Sequence, residues 1–141
     1  MTKELNPMVQ ARLDYIYLQD FITEAELKTI WRNCRGEEGE YFIEKLRHYS
    51  QLIHDMPVTY EQDGTDNPIA YLHYFNGGMD WYITEKDKGD GSKDTGQHQA
   101  YGSANIGYGP ENGYISIHEL INNGVELDLY FNPKPLKECI K

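Results

Sequence analysis

The sequence predicts an α+β fold, with N-terminal helices followed by a mostly antiparallel, meander-like β-sheet that has one short helix before its last strand. Two observations predict this order: apolar residues recur at helical spacing as far as His54, and beyond Pro57 they follow the spacing of strands. A chain of 141 residues is the size of one domain. We therefore expect a single domain with a helical extension at residues 1–54, a β-rich part at 55–133 and a C-terminal tail at 134–141.

Cap signals place the first two helices. Asn6 and Pro7 are residue types preferred at the cap and at the first position of a helix. The apolar stripe of this first helix is predicted to consist of Val9, Leu13, Ile16 and Tyr17. Thr23 and Glu26 have capping-box spacing and predict a second helix that stops near Gly36. Its apolar positions are Leu27, Ile30, Trp31 and Cys34.

The third helix and the strands follow from the same kind of pattern. Apolar positions at helical spacing predict a helix from Glu38 to His54, ended by Pro57, with the positions Phe42, Leu46, Tyr49 and Ile53. Asn76-Gly77-Gly78 predicts a hairpin between its two flanking strands. The predicted strands are Pro68 to Phe75, Met79 to Glu85, Tyr101 to Ile106, Gly113 to Ile117 and Glu126 to Phe131, the last ended by Pro133 and Pro135. The remaining elements are a long mobile loop, Lys86 to Gln97, and a short helix, His118 to Asn122, opened by Ser116 or Ile117 and closed by Asn123-Gly124.

The net charge of −10 is concentrated in one part of the chain. Residues 48–133 hold thirteen acidic residues against three lysines, whereas residues 134–141 have a small positive balance. Because carboxylates repel phosphate, direct binding of nucleic acid through a basic groove is not expected. A basic protein surface is the partner that this charge favours.

The sequence also bounds the location of the protein. The first ten residues have no apolar run of signal-peptide length, and no stretch reaches the ~20 apolar residues needed to cross a bilayer. The two cysteines, Cys34 and Cys139, are far apart, unlike the closely spaced pairs of small secreted domains. We therefore expect a cytoplasmic protein with no membrane association.

Three motifs in the β-rich part resemble one known family. They are Tyr74-Phe75 with Trp81-Tyr82 and Glu85 around the Asn76-Gly77-Gly78 turn, then Glu111, Gly113, Tyr114, Ser116, Glu119 and Leu120, and finally Glu126, Asp128 and Phe131. In this order the motifs are similar to those of the domain of unknown function 2958 family, over about residues 55–133. The chain departs from the family where Leu127 replaces an arginine and Tyr101-Gly102 replaces Phe-Gly, and the loop at 86–97 is longer.

The resemblance implies a protein of phages, plasmids and other mobile elements, without implying an activity. A counter-defence or anti-restriction role is the expectation that follows from such an origin. Its partner would be a basic surface, such as that of a DNA-binding host or defence protein.

Catalysis has little support in the sequence, and no cofactor or metal is expected. The histidines lack zinc-ligand spacing, and there is no nucleophile elbow or phosphate-binding loop. If the protein were an enzyme, carboxylates could hold a divalent cation and His98 or His118 could act as a base, although structural roles are favoured for all of them. The enzyme candidates are Asp80, Glu85, Glu111, His118 and Glu119, with Asp128 as a further carboxylate.

The chain is also rich in tyrosine, and twelve are present. Amphipathic aromatic rings are enriched at interfaces, and together with carboxylates they predict an acidic, tyrosine-rich binding surface. The predicted surface comprises Tyr74, Asp80, Trp81, Tyr82, Glu85, Tyr101, Glu111, Tyr114, Glu126 and Asp128. Three functions remain open: a non-catalytic binding protein, which is favoured, a metal-dependent single-stranded DNA endonuclease, and a small-ligand binder with an aromatic pocket.

Overall fold

The computed structural model describes residues 6–62, 64–88 and 97–140, and most of the predicted loop Lys86 to Gln97 lies outside these residues. The order of elements confirms the α+β prediction. The helices are α1 Pro7–Leu18, α2 Glu24–Asn33, α3 Gly39–Asp55, α4 Ile117–Asn122 and α5 Leu136–Cys139. The strands are β1 Ile69–Ala70, β2 Leu72–Asn76, β3 Met79–Glu85, β4 Ala100–Asn105, β5 Glu111–Ile115, β6 Glu126–Leu127 and β7 Lys134–Pro135.

The helix starts are fixed by side-chain caps, as predicted. Asn6 Oδ1 accepts the N–H of Met8 at 2.9 Å, and Thr23 Oγ1 accepts the N–H of Glu26 at 3.2 Å. The capping box is only half formed, because the Glu26 carboxylate turns to the backbone N–H of Leu127. Ser116 caps α4 in the same way, through the N–H of Glu119.

The predicted apolar stripe of α1 is wrong at three of its four positions, and only Tyr17 packs, partly buried, against the core. Val9, Leu13 and Ile16 are each about half exposed. The helix instead buries the side that carries Ala11, Asp14 and Leu18, and packs that side against α3. The small Ala11 allows close approach, and Asp14 accepts a hydrogen bond from Gln10 and forms an ion pair with Arg47 of α3 at 3.5 Å.

The main sheet has five antiparallel strands in the order β5-β4-β3-β2-β6. Strands β2 to β5 form the expected meander, and the Gly77-Gly78 turn closes the hairpin between Asn76 and Met79. Strand β6 does not continue the meander. The chain passes through α4 and places β6 beside β2, at the opposite edge from β5.

The predicted strand boundaries need two corrections. The segment Pro68 to Phe75 forms two strands, and the first, β1, pairs with β7 in a separate two-stranded sheet. The segment Glu126 to Phe131 is a strand for two residues only, because Asp128 starts a turn in which its carboxylate accepts the N–H of Tyr130 at 2.9 Å.

The two faces of the main sheet have different environments. The inner face packs on α1, α2 and α3 and contributes Leu72, Tyr74 and Ile83 to the main core. A smaller cluster covers part of the outer face with Phe131, Leu136 and their neighbours. The rest of the outer face carries the polar and aromatic side chains of the candidate site.

Candidate functional site

Strand pairing fixes which side chains share the outer face, because directly paired residues point to the same side of a sheet. Tyr82 of β3 pairs with His73 of β2 and with Ser103 of β4. Asp80 of β3 pairs with Phe75 of β2 and with Asn105 of β4, so these three residues form a second row of side chains across the outer face. The outer face is therefore a band of aromatic, acidic and amide side chains.

A β-bulge changes the side on which Glu85 lies. Ile83 pairs with Gly102 and points into the core, and regular alternation would return Glu85 to that same inner face two residues later. The register shifts between them, so Glu85 pairs with Tyr101 and shares its outer face. The Thr84 hydroxyl donates to the Tyr101 carbonyl at 3.1 Å at this irregularity. The bulge therefore aims a carboxylate to the outer side of the sheet.

Glu85 lines a cavity of about 390 Å³ on this face. The cavity lies between the loop that precedes β1, strands β3 to β5 and helix α5. Its walls include three tyrosines, Tyr60, Tyr101 and Tyr114, with Leu136 and Ile140 as the apolar part. Its volume is within the range of about 300–1,000 Å³ that is usual for small-molecule sites.

Glu85 is buried, with 4% of the residue's surface exposed. Its Oε2 accepts the backbone N–H of Gln62. The Gln62 amide in turn ties the loop to the sheet, since it donates to the carbonyls of Ile69 and Thr84 and accepts the N–H of Ile69. No Lys, Arg or His of the described residues forms an ion pair with Glu85. A buried carboxylate therefore reaches the cavity without a positive partner from the described chain.

Tyr60 stands over the cavity in an unusual backbone conformation. It has φ +80°, and no other described residue apart from glycine has a positive φ. It occupies the third position of a turn closed by the N–H of Glu61 and the carbonyl of Val58 at 3.1 Å, a position where glycine is usual when φ is positive. Its hydroxyl lies 2.6 Å from that of Tyr114. The turn holds the Tyr60 side chain at the cavity in spite of the strain.

At the other end of the outer face, His73 holds two carboxylates. Its Nε2 lies 2.7 Å from Asp80 Oδ1 and its Nδ1 lies 3.0 Å from Asp128 Oδ2. The ring also stacks on Tyr82, with centroids 4.5 Å apart and planes 9° from parallel. Burial and the nearby charge of Asp80 raise the pKa of Tyr82, so its hydroxyl stays protonated at neutral pH.

The structure brings together part of the predicted binding surface. Six of the ten residues share the outer face by pairing or contact: Asp80, Tyr82, Glu85, Tyr101, Tyr114 and Asp128. Glu126 pairs with Phe75 and is therefore a seventh residue of the outer face, at its β6 edge. Trp81 and Glu111 belong to the inner side of the sheet, where Trp81 packs on the core and Glu111 is exposed on the edge strand.

Tyr74 is wrongly predicted as a surface residue. It is fully buried in the main core, and its hydroxyl donates to the Phe21 carbonyl at 2.6 Å. Pairing with Leu127 and Trp81 fixes it on the inner face, one residue out of phase with His73. Burial raises the pKa of its hydroxyl well above the usual value.

The enzyme candidates do not converge. Asp80 and Glu85 lie near opposite ends of β3, and Glu111 is on the other side of the sheet. His118 and Glu119 belong to α4, where His118 Nε2 lies 3.0 Å from the Asn122 amide and its ring is 4.6 Å from that of His98. Within residues 6–62, 64–88 and 97–140, no group of three or more His, Cys, Asp or Glu side chains is placed to hold a metal ion.

Sequence reasoning missed Tyr60 and Gln62 as parts of the site, and it missed the role of His73. The hairpin register, which the Gly77-Gly78 turn implies, would have placed His73 beside Tyr82. Tyr60 and Gln62 lie in a loop with no pattern that indicates the cavity.

Comparison with known proteins adds no further constraint: no family model, curated protein or solved structure matches the chain. Among the described residues, the helices are all too short or too polar to cross a membrane.

Proposed function

We propose that the protein is a non-catalytic binding protein that receives a basic partner protein on the outer face of its main sheet. The observation that carries the proposal is the acidic end of that face, where His73 fixes the carboxylates of Asp80 and Asp128. Glu126 adds a third acidic side chain through its pairing with Phe75. A fixed arrangement of carboxylates gives more specificity to a basic partner than a diffuse negative charge does.

Of the two carboxylates bound by His73, Asp80 is the one with an oxygen left for a partner. Asp128 uses both of its oxygens, one for His73 and one for the N–H of Tyr130. Asp80 uses Oδ1 for His73, and its side chain is 40% exposed. The partly exposed Phe75 next to it supplies apolar contact area. Aromatic side chains such as this one are enriched at protein interfaces.

Charge supports the same partner class. Every residue that pairing places on the outer face in the described strands is neutral or acidic, apart from His73. With a net charge of −10, the protein also attracts basic surfaces at longer range. The resemblance to a mobile-element family favours a DNA-binding host or defence protein as the partner, which would meet carboxylates in place of phosphates.

A reducing compartment fits this proposal. Both Cys34 and Cys139 are free thiols. Proteins with unpaired cysteines are common in the cytoplasm, where DNA-binding partners also act. We therefore propose the cytoplasm as the place of binding.

The proposal is tested by capture with charge-matched variants. Tagged wild type, the double variant Asp80→Asn/Glu126→Gln and the double variant Glu37→Gln/Glu40→Gln are incubated with host lysate at physiological salt. Both variants lose two negative charges, but Glu37 and Glu40 are exposed residues far from the sheet in sequence. We expect wild type and the Glu37/Glu40 variant to capture basic proteins. The Asp80/Glu126 variant should no longer capture them.

Two results would contradict the proposal. Equal capture by all three proteins, or capture of neutral and acidic proteins alone, would show that the fixed carboxylates are not the contact. Cutting of single-stranded DNA with Mg²⁺ or Mn²⁺ that disappears in Asp80→Ala would establish the endonuclease function instead.

A further inference from the structure

We propose that the cavity beside Glu85 binds an organic cation, an alkylammonium or guanidinium group, with the Glu85 carboxylate as its counter-ion and Tyr60, Tyr101 and Tyr114 around it. This goes beyond the proposed function, which concerns a protein-binding surface around Asp80. The cavity lies at the other end of β3 and is a concave site that would hold a single cationic group.

The buried carboxylate is the first argument. Removing an ionised carboxylate from water costs several kcal/mol unless a positive group or several hydrogen bonds compensate. Glu85 is 4% exposed, and among the described residues the only hydrogen bond of its side chain is the one that Oε2 accepts from Gln62 N–H. Its Oε1 therefore has no donor in the described part of the chain. A ligand that brings a positive N–H group or a compact cation would supply what this oxygen lacks.

The aromatic walls are the second argument. Tyrosine rings attract cations through the negative potential of their faces, and groups of aromatic rings are a known arrangement for binding ammonium ligands. The Tyr101 and Tyr114 rings are 5.6 Å apart and nearly perpendicular, with an angle of 87°. Tyr60 is tied to Tyr114 through their hydroxyl groups. The rings thus form a connected wall beside Glu85.

The local backbone is also irregular at the two residues that matter most for this site, Glu85 and Tyr60. Glu85 faces the cavity because of the bulge in β3, and Tyr60 faces it from a turn with positive φ. Bulges that redirect a side chain, and strained turns, occur preferentially at functional sites. Neither irregularity is required to close the main core, to which neither residue belongs.

The lining argues against other ligand classes. An anion would be repelled by Glu85 and Asp66, and a divalent metal would find too few carboxylates, since the described residues contain no suitable group of three. Lys137 is the one cation among the described lining residues, and none of the ion pairs in the described part of the chain joins its exposed side chain to Glu85. Leu136 and Ile140 provide an apolar wall for the carbon chain of an amine or guanidine.

The cation can come from a free small molecule or from a Lys or Arg side chain of a protein. The second source rests on the proposed function, and the probes separate the two. Free probes are tetramethylammonium and n-butylammonium, with 1-pentanol as the neutral control. Peptide probes are Ac-Gly-Lys-Gly-NH₂ and Ac-Gly-Arg-Gly-NH₂, with norleucine and citrulline peptides as neutral controls. Binding is followed by NMR of the full chain and by calorimetry.

We expect the cations to bind, to shift the resonances of Tyr60, Tyr101 and Tyr114, and to bind at least ~10-fold more tightly than their neutral controls. Glu85→Gln, which can still accept the Gln62 N–H, should lose at least ~10-fold in affinity. The matched control is Glu61→Gln, an exposed carboxylate that directly follows Tyr60 and lies outside the cavity lining, which should bind as wild type does. Binding of the free amines without the peptides assigns a small-molecule site, and peptide binding assigns a side-chain site.

Three results would overturn the proposal: no binding of any cation, equal binding of the neutral controls or of a neutral sugar such as glucose, or equal affinity in wild type and Glu85→Gln. If Glu85→Gln does not fold, Tyr60→Ala decides, because Tyr60 is 66% exposed and its loss leaves the core intact. That variant should bind the cations roughly 2- to 5-fold more weakly. These assays use only the cavity and small probes, so their failure leaves the capture test at Asp80 and Glu126 unaffected.

Discussion

The Glu26 carboxylate in the first turn of α2 accepts a hydrogen bond from the backbone N–H of Leu127 in β6, at 3.1 Å. This contact joins the start of a helix to the edge strand of the main sheet. Burial raises the pKa of Glu26 to about 7, and the nearby carboxylates of Glu126 and Asp128 act in the same direction, while the hydrogen bond from Leu127 opposes them. Glu26 therefore titrates near neutral pH in the folded protein.

We predict that this group makes the protein less stable as the pH rises. The folded protein holds the Glu26 proton more tightly than the unfolded chain, whose glutamate pKa is near 4.5. Its contribution to the free energy of unfolding is therefore full below about pH 4.5 and is lost as the pH rises through about 7. Between pH 5.5 and 8.5 the loss is about 2 kcal/mol. Urea unfolding of wild type and Glu26→Gln at these two pH values measures it, and the variant should lack this loss.

Glu24→Gln is the control for this prediction. It removes one carboxylate from the same turn, but Glu24 is exposed and pairs with Lys28 at 2.8 Å. Its hydrogen bond to Lys28 lowers the pKa of Glu24, so it does not titrate between pH 5.5 and 8.5. The variant should therefore keep the wild-type dependence on pH. A Glu26→Gln protein with that same dependence would show that another group is responsible.

Local signals were sufficient to predict much of the fold. The caps at Asn6, Thr23 and Ser116, and the Gly77-Gly78 hairpin, depend on residues within a few positions of each other. The orientation of α1 could not be predicted in this way, because apolar residues occur on both of its sides. An ion pair between Asp14 and α3 helps to select the buried side.

The site was harder to predict than the fold for a related reason. Whether Glu85 faces the core or the cavity depends on the bulge between Ile83 and Glu85, which has no sequence signature. The position of β6 next to β2 depends on pairing between Tyr74 and Leu127, which are distant in sequence. The candidate surface residues could therefore be proposed as a set. Which face of the main sheet each of them occupies depends on the strand register.

Tyr74→Phe is expected to destabilise the protein by about 1–2 kcal/mol. The Tyr74 hydroxyl is fully buried and donates to the Phe21 carbonyl at 2.6 Å, so the change leaves a buried acceptor without this donor. Chemical denaturation measures the difference. Tyr130→Phe, at a side chain that is 80% exposed, is the control and should change the stability by less than about 0.5 kcal/mol. Equal stability of Tyr74→Phe and wild type would count against the inner-face assignment.

Gly102 and Gly113 are paired across β4 and β5 and provide a matched test of the sheet register. A Cβ atom on Gly102 would overlap the backbone carbonyl oxygen of Tyr82, whereas a Cβ on Gly113 would meet no atom within 4 Å. We expect Gly102→Ala to cost more than about 2 kcal/mol and Gly113→Ala to cost almost nothing. Thermal unfolding followed by circular dichroism measures both. Similar effects of the two substitutions would contradict the register of β3 and β4.

The strain at Tyr60 predicts an unusual order of stability between two small substitutions. At φ +80°, alanine has a steric cost that glycine does not have, so Tyr60→Gly should be about 1 kcal/mol more stable than Tyr60→Ala. At Tyr130, which is also exposed but has no positive φ, alanine should be at least as stable as glycine. Urea unfolding of the four variants gives the comparison. The same order at both positions would mean that the Tyr60 turn relaxes in solution. The predicted reversal, together with weaker cation binding in both Tyr60 variants, would show that the strain serves to hold this ring at the cavity.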